Sequence, residues 1–210
     1  MTAIEREDLL RGTREGAPHT SKRIQDAALD LFYERGYQAT TMREIALACG
    51  LTPGALYNHF ASKDELLGSM LVDIHNKLEA TLSEAMAEAG DDPAAQLRAY
   101  ARAHGFFHTQ YVFEARVGNR EIGSLSGPAS DEVIAIRRRA AATLRGILER
   151  GSEVGAFWVP EPAAVSNLIH TMGMAIANWF KPEGDLSQEQ MADLHADLVM
   201  RMVSQVPNRR

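Results

Sequence analysis

His104 and His108 stand one helical turn apart in the stretch from Leu97 to Tyr111, and Tyr100, Phe107 and Tyr111 repeat on the same i, i+3, i+4 face. That face is the one a helical bundle would bury. Imidazoles and phenols there permit three kinds of chemistry. They can be satisfied core groups, polar handles in a ligand cavity between helices, or, at i, i+4, two ligands of one metal ion. No H-E-x-x-H glutamate and no nearby cysteine accompanies them, so neither a metal site nor a cofactor is expected. Arg137 adds a charge to the problem. It falls inside the apolar arc of its own helical stretch, between Ala140 and Leu148 in angular position. A charge on a buried arc needs a partner, either an internal carboxylate (Glu114 or Glu121) or an anionic ligand. Arg116 and Arg120 extend the same basic mouth, while Met172, Met174, Asn178 and Trp179 offer soft or polar surface from a later stretch. The ligand that matches these features is largely apolar with one anionic end, such as an acyl-CoA or a lipophilic acid.

A second set of residues, from Thr41 to Leu67, suits a different task. Thr41 and Glu44 make a capping box ahead of the apolar Met42, Ile45 and Ala46. Cys49-Gly50-Leu51 stops that helix, because glycine after the last turn readily takes the left-handed conformation. Thr52 then caps a second short helix and Pro53 opens it. Leu56 and Phe60 point back into a core, which leaves Thr52, Gly54, Ala55, Tyr57 and Asn58 outward. Helix–turn–helix DNA readers place such a second helix in the major groove, N-terminal residues towards base edges. Behind it, Ser62 and Glu65 cap a third helix, whose free N–H groups favour a phosphate near Lys63.

The run T-x-x-x-I-A-x-x-x-G-L-x-x-G-x-L-Y-x-H-F-x-x-K-x-E-L, from Thr41 to Leu66, closely resembles the DNA-binding domain of the TetR family of transcriptional regulators. The likeness is dense over residues 20–70 and architectural beyond them. Together with the helix geometry it implies Tyr57, His59 and Lys63 at phosphates and Thr52, Ala55 and Asn58 nearest base edges, with Thr41 and Gly54 completing the face. It also implies a homodimer built from the last two long helices, 162–180 and 187–205, on a palindromic operator. The resemblance implies a ligand-responsive repressor rather than an enzyme. The segment from Asn178 to Ser187 resembles members that sense acyl-CoA and related lipid or steroid breakdown products. Two rivals from other classes are a metal-dependent hydrolase using His104 and His108, and an effector-free DNA-binding protein with a filled core.

The elements that would hold these residues are all helical. Apolar residues recur at helical period over Ser21–Gly36, Ser62–Glu88, 94–113, 114–126, Ser130–Arg150, Pro162–Phe180 and the stretch capped by Ser187. With the two short helices this makes about nine, in an all-α fold. A flexible arm is expected over 1–19, a three-helix reader over 20–66 and a ligand-binding and dimerisation bundle over 67–210. The net charge of −6 is not that of a bulk nucleic-acid binder. Residues 17–63, however, hold five Lys/Arg against four Asp/Glu, so the negative charge lies elsewhere. The lone Cys49 excludes an internal disulfide and fits a reducing cytoplasm. No signal peptide is visible, and the most apolar run, Ala163 to Phe180, contains Ser166, Asn167, His170 and Asn178, which argues against a membrane span.

Overall fold

The computed structural model describes residues 20–204. The arm expected over 1–19 and the last residue of the 187–205 helix lie outside them. Nine α-helices and one 3-10 turn make up the described residues, with no strand. They are α1 (Thr20–Arg35), α2 (Met42–Ala48), α3 (Pro53–Tyr57), α4 (Lys63–Ala89) and α5 (Pro93–Gln110), then α6 (Val112–Glu121), α7 (Gly127–Glu153), α8 (Pro162–Trp179) and α9 (Gln188–Val203). The chain divides into two compact units, one ending at Leu66 and the other beginning at Leu67, so the division falls inside α4.

In the first unit the helix ends are set by local chemistry. Gly36, at φ +87°, turns the chain out of α1. The Thr41 hydroxyl accepts from the Glu44 N–H at 3.3 Å, and the Glu44 carboxylate accepts from the Thr41 N–H at 2.8 Å. The Thr52 hydroxyl takes the Ala55 N–H at 3.2 Å, and Pro53 follows at the first helical position. Ile24, Ala28, Phe32, Ile45, Leu56 and Leu66 are fully shielded from solvent and form the small core beneath.

In the second unit α5 is the central element, packed against α9, α8 and α7. Leu97, Tyr100 and Ala101 of α5 meet Leu144, Ile147 and Leu148 of α7, Ile169 of α8 and Val199 and Val203 of α9 in one apolar cluster. Helix α5 ends at Gln110, earlier than the periodicity predicts, and α6 begins at Val112. Tyr111 breaks the pair with φ −111° and ψ 49°, its ring packed 4.7 Å from that of Phe107. The Gln188 side chain donates to the freed Thr109 carbonyl at 3.0 Å. Neither glycine nor proline marks that break, so its cause is tertiary. Helix α7 starts at Gly127 rather than Ser130 and runs on to Glu153. No helix among the described residues is long and apolar enough to cross a membrane.

Candidate functional site

The first unit presents a short polar helix. On α3 and just after it, Thr52, Gly54, Tyr57, Asn58 and His59 are exposed and Ala55 is half-buried, while Leu56 and Phe60 anchor the segment from beneath. The anchoring fixes which side faces out. His59 is steadied by the Ser21 hydroxyl, 3.1 Å from its Nδ1. Thr41 is exposed but its hydroxyl also bonds the Glu44 carboxylate at 2.7 Å, and these Thr41 hydrogen bonds hold that carboxyl below its usual range. Lys63, at the start of α4, is half-buried. Its ammonium donates to the Tyr37 and Thr40 carbonyls at 2.7 and 2.8 Å and sits 4.3 Å from the centre of the Tyr37 ring. It ties the start of α4 to the turn between α1 and α2. Arg43 is exposed in the first turn of α2.

The second unit contains a cavity of about 470 Å³. Its walls come from α4 (His75, Leu78), α5 (His104, His108), α7 (Arg137, Ala140, Ala141) and α8 (His170, Met174), with Asn119 and Ile122 closing one side. Exposed Asn167, Thr171 and Arg138 stand at its mouth. Arg137 is half-buried, and its guanidinium bonds the Met174 sulfur at 3.4 Å. Burial lowers its pKa, and no carboxylate among the described residues offsets that burial. The internal partner offered by Glu121 is absent, since Glu121 binds Arg120 at 2.7 Å and the Ser124 hydroxyl at 3.3 Å.

Burial disfavours the charged form of the histidines in and behind this wall. Burial pushes His108 and His170 down to about 4, takes His104 well below the usual imidazole range, and lowers His75 and His195 too. Neighbouring imidazoles oppose each other's protonation, with the His104 and His108 ring centres 4.5 Å apart and those of His104 and His170 5.3 Å apart. Among the described residues no group of three or more His, Cys, Asp or Glu is arranged to hold a metal. The His104 ring is admitted by Gly173, where an added Cβ would come within 2.1 Å of His104 Nδ1.

Of the residues expected to bind ligand, His104, His108, Arg137 and Met174 do line the cavity. The others do not. Tyr100 stands behind the wall, its hydroxyl 2.7 Å from His170 Nε2 and 3.3 Å from the Ala140 carbonyl. Phe107 borders a recess of only about 30 Å³ beside His75 and His108. Tyr111 forms the helix break and carries Lys77 over its ring at 4.7 Å. Arg116 donates twice to the Ala177 carbonyl, at 2.9 and 2.7 Å, a cation placed on the carbonyl end of α8. Arg120 is taken by Glu121. Met172 packs into the apolar cluster, and Asn178 and Trp179 are exposed away from the cavity. His75 and His170 were missed, although His75 lies at i+4 from Leu71 and i−3 from Leu78 on a buried stripe.

A third surface is apolar and exposed. Leu168 and Trp179 of α8 are 59% and 56% accessible, and Leu194, Leu198 and Met202 of α9 are about 40% accessible. Ala177, by contrast, is fully buried within its own chain and offers nothing to a partner.

Comparison with known proteins gives the same assignment over both units. Residues 24–70 match the bacterial regulatory proteins of the tetR family, and residues 90–203 match the tetracyclin repressor-like C-terminal domain. The chain is 26% identical over 183 residues to the HTH-type transcriptional repressor KstR2 of Rhodococcus jostii, covering 84% of this chain and 87% of that one. A tetR-family regulatory protein from Rhodococcus RHA1 superposes with a TM-score of 0.84 at 28% identity, over 91% of this chain and all of that one. AibR, solved in complex with isovaleryl coenzyme A and operator DNA, gives 0.77 at 27% identity, over 86% of this chain and 97% of its own. These relatives are transcriptional regulators rather than enzymes, and the chain belongs to the TetR family of transcriptional regulators.

Proposed function

We propose that this regulator is a homodimeric repressor that holds a palindromic operator until an anionic, largely apolar effector, an acyl-CoA or a lipophilic acid, enters the cavity of the second unit. The observation that carries the reading is Arg137, a half-buried cation in the cavity wall whose burial no carboxylate among the described residues offsets. A buried charge left in that state favours whatever anion can reach it. Leu78, Ile122, Ala140 and Met174 supply the apolar body of the site. The bound coenzyme A thioester of AibR and the repressor activity of KstR2 lie in the same direction. The protein would act in the cytoplasm, where its operator is.

Thr52, Ala55 and Asn58 would read base edges, with Gly54 allowing close approach and Thr41, Tyr57, His59 and Lys63 placed around the phosphates. The same uninterrupted helix, α4, begins at Lys63 and carries His75 and Leu78 in the cavity wall. An effector that prefers a different setting of α4 would disfavour the DNA-binding state. Coupling of about 1–3 kcal/mol is enough for such a switch. The test is release of a fluorescent operator duplex by a panel of acyl-CoAs, fatty acids, and neutral and cationic amphiphiles. Release by anionic members alone is expected, and release only by neutral or cationic members would overturn the reading.

A further inference from the structure

We propose that His75 and His108 are specificity-determining residues of the cavity, neutral acceptors whose Nε2 atoms select effectors carrying a hydroxyl or amide N–H beside their apolar body. This rests on reading the cavity as the site of an anionic lipophile. His75 Nδ1 lies 2.7 Å from the Leu71 carbonyl oxygen, and His108 Nδ1 lies 2.9 Å from that of His104. A carbonyl oxygen only accepts, so in both rings Nδ1 carries the proton. Each Nε2 is then a lone pair with no protein donor among the described residues, on a ring that lines the cavity. Because both bonds run to the carbonyl one turn back in the same helix, the fold itself fixes the tautomer.

His170 shows what such an acceptor takes. Its Nε2 is met at 2.7 Å by the Tyr100 hydroxyl, a donor supplied from within the chain. His75 and His108 have no such internal hydroxyl. Two other polar groups of the wall direct a proton to a backbone carbonyl. The Thr171 hydroxyl donates to the Asn167 carbonyl at 2.8 Å, and the Asn119 amide donates to the Met174 carbonyl at 3.3 Å. The wall therefore offers guanidinium and amide N–H groups to an anion, and the two imidazole lone pairs to a neutral donor. An ammonium group is a poor candidate, since Arg137 already disfavours positive charge on His75 and His170. Two sources fit the chemistry, a hydroxyl on the acyl chain or the N–H and O–H groups of a pantetheine arm.

Isothermal titration calorimetry separates them, using decanoate, its β- and ω-hydroxy derivatives, and decanoyl-CoA against wild-type, His75→Phe and His108→Phe proteins. At least one donor-bearing ligand is expected to bind about tenfold tighter than decanoate. Each substitution is expected to weaken that ligand about tenfold more than it weakens decanoate. Loss seen with a hydroxydecanoate puts the donor on the acyl chain, and loss seen only with decanoyl-CoA puts it on the pantetheine arm. Operator binding by each variant reports its fold, and half-buried His75 carries the test where His108→Phe does not fold. Equal binding of decanoate and every donor-bearing ligand, or equal loss of both in the variants, overturns the inference and leaves the anionic-effector reading standing. Failure of all these ligands to bind the wild-type protein overturns both.

Discussion

Lys63 and Asn58 are both polar residues of the reader, yet their surroundings give them different expected roles. The Lys63 ammonium closes onto two backbone carbonyls and the Tyr37 ring, whereas the Asn58 side chain faces solvent. Lys63→Met is therefore expected to destabilise the protein by about 1–2 kcal/mol and to weaken binding to all DNA sequences. Asn58→Ala should leave stability within about 0.5 kcal/mol and relax preference at particular base pairs. Denaturant unfolding alongside operator and scrambled-duplex titrations distinguishes the two, and equal stability of both variants would contradict the clasp. The buried imidazoles make a pH prediction. His108 is held at about 4, while an unfolded histidine titrates near 6.5. Between those values the unfolded chain binds a proton that the folded chain does not. Stability is thus full above about pH 6.5 and falls as the pH drops towards 4. His108 alone should cost about 1 kcal/mol by pH 5.5, read as a drop in the urea midpoint between pH 7.5 and 5.5. Capping residues such as Thr41, Glu44 and Thr52 were legible in the sequence because their chemistry closes within four residues. Arg137 was legible from its angular position. Arg116, Arg120 and Trp179 were misplaced because only tertiary packing decides whether a half-polar residue meets a cavity, a backbone carbonyl or solvent.

Among the elements, α5 and α8 depend on one close approach. The His104 ring lies where a side chain on residue 173 would begin. Gly173→Ala should therefore destabilise the second unit by at least about 1–3 kcal/mol, the usual cost of overpacking, and displace His104 into the cavity. A wild-type melting temperature for that variant would show that the ring has room to move. The same helices illustrate what periodicity can and cannot give. The stripes of α5, α7, α8 and α9 were readable because each buries one face in a shared core. The break at Tyr111 was not, because the Gln188 side chain that takes up the freed Thr109 carbonyl comes from 79 residues further along the chain. The start of α7 was read late for the opposite reason. Gly127 and Pro128 look like punctuation but serve as an entry turn, with Gly127 at φ +65° and Pro128 in the first turn.

At the scale of the whole molecule, the proposed switch requires two copies and one effector. Leu168, Trp179, Leu194, Leu198 and Met202 expose more apolar surface on α8 and α9 than a solitary chain has use for. A self-complementary pairing through them would set two readers on operator half-sites about 34 Å or a multiple apart. Leu198→Glu, at an exposed position, should shift sedimentation at micromolar concentration from dimer to monomer and abolish operator binding with the fold intact. An unchanged dimer would exclude this face. The central claim is that Arg137 draws an anionic lipophile into the cavity and thereby frees the operator. The most direct measurement is operator anisotropy during titration with decanoyl-CoA and decanoate, in wild-type and Arg137→Met proteins. The account predicts full operator binding by both proteins without ligand, release of the wild type, and a response in the variant weakened about tenfold or more, the scale of one lost charged hydrogen bond. Identical release of both proteins would contradict it.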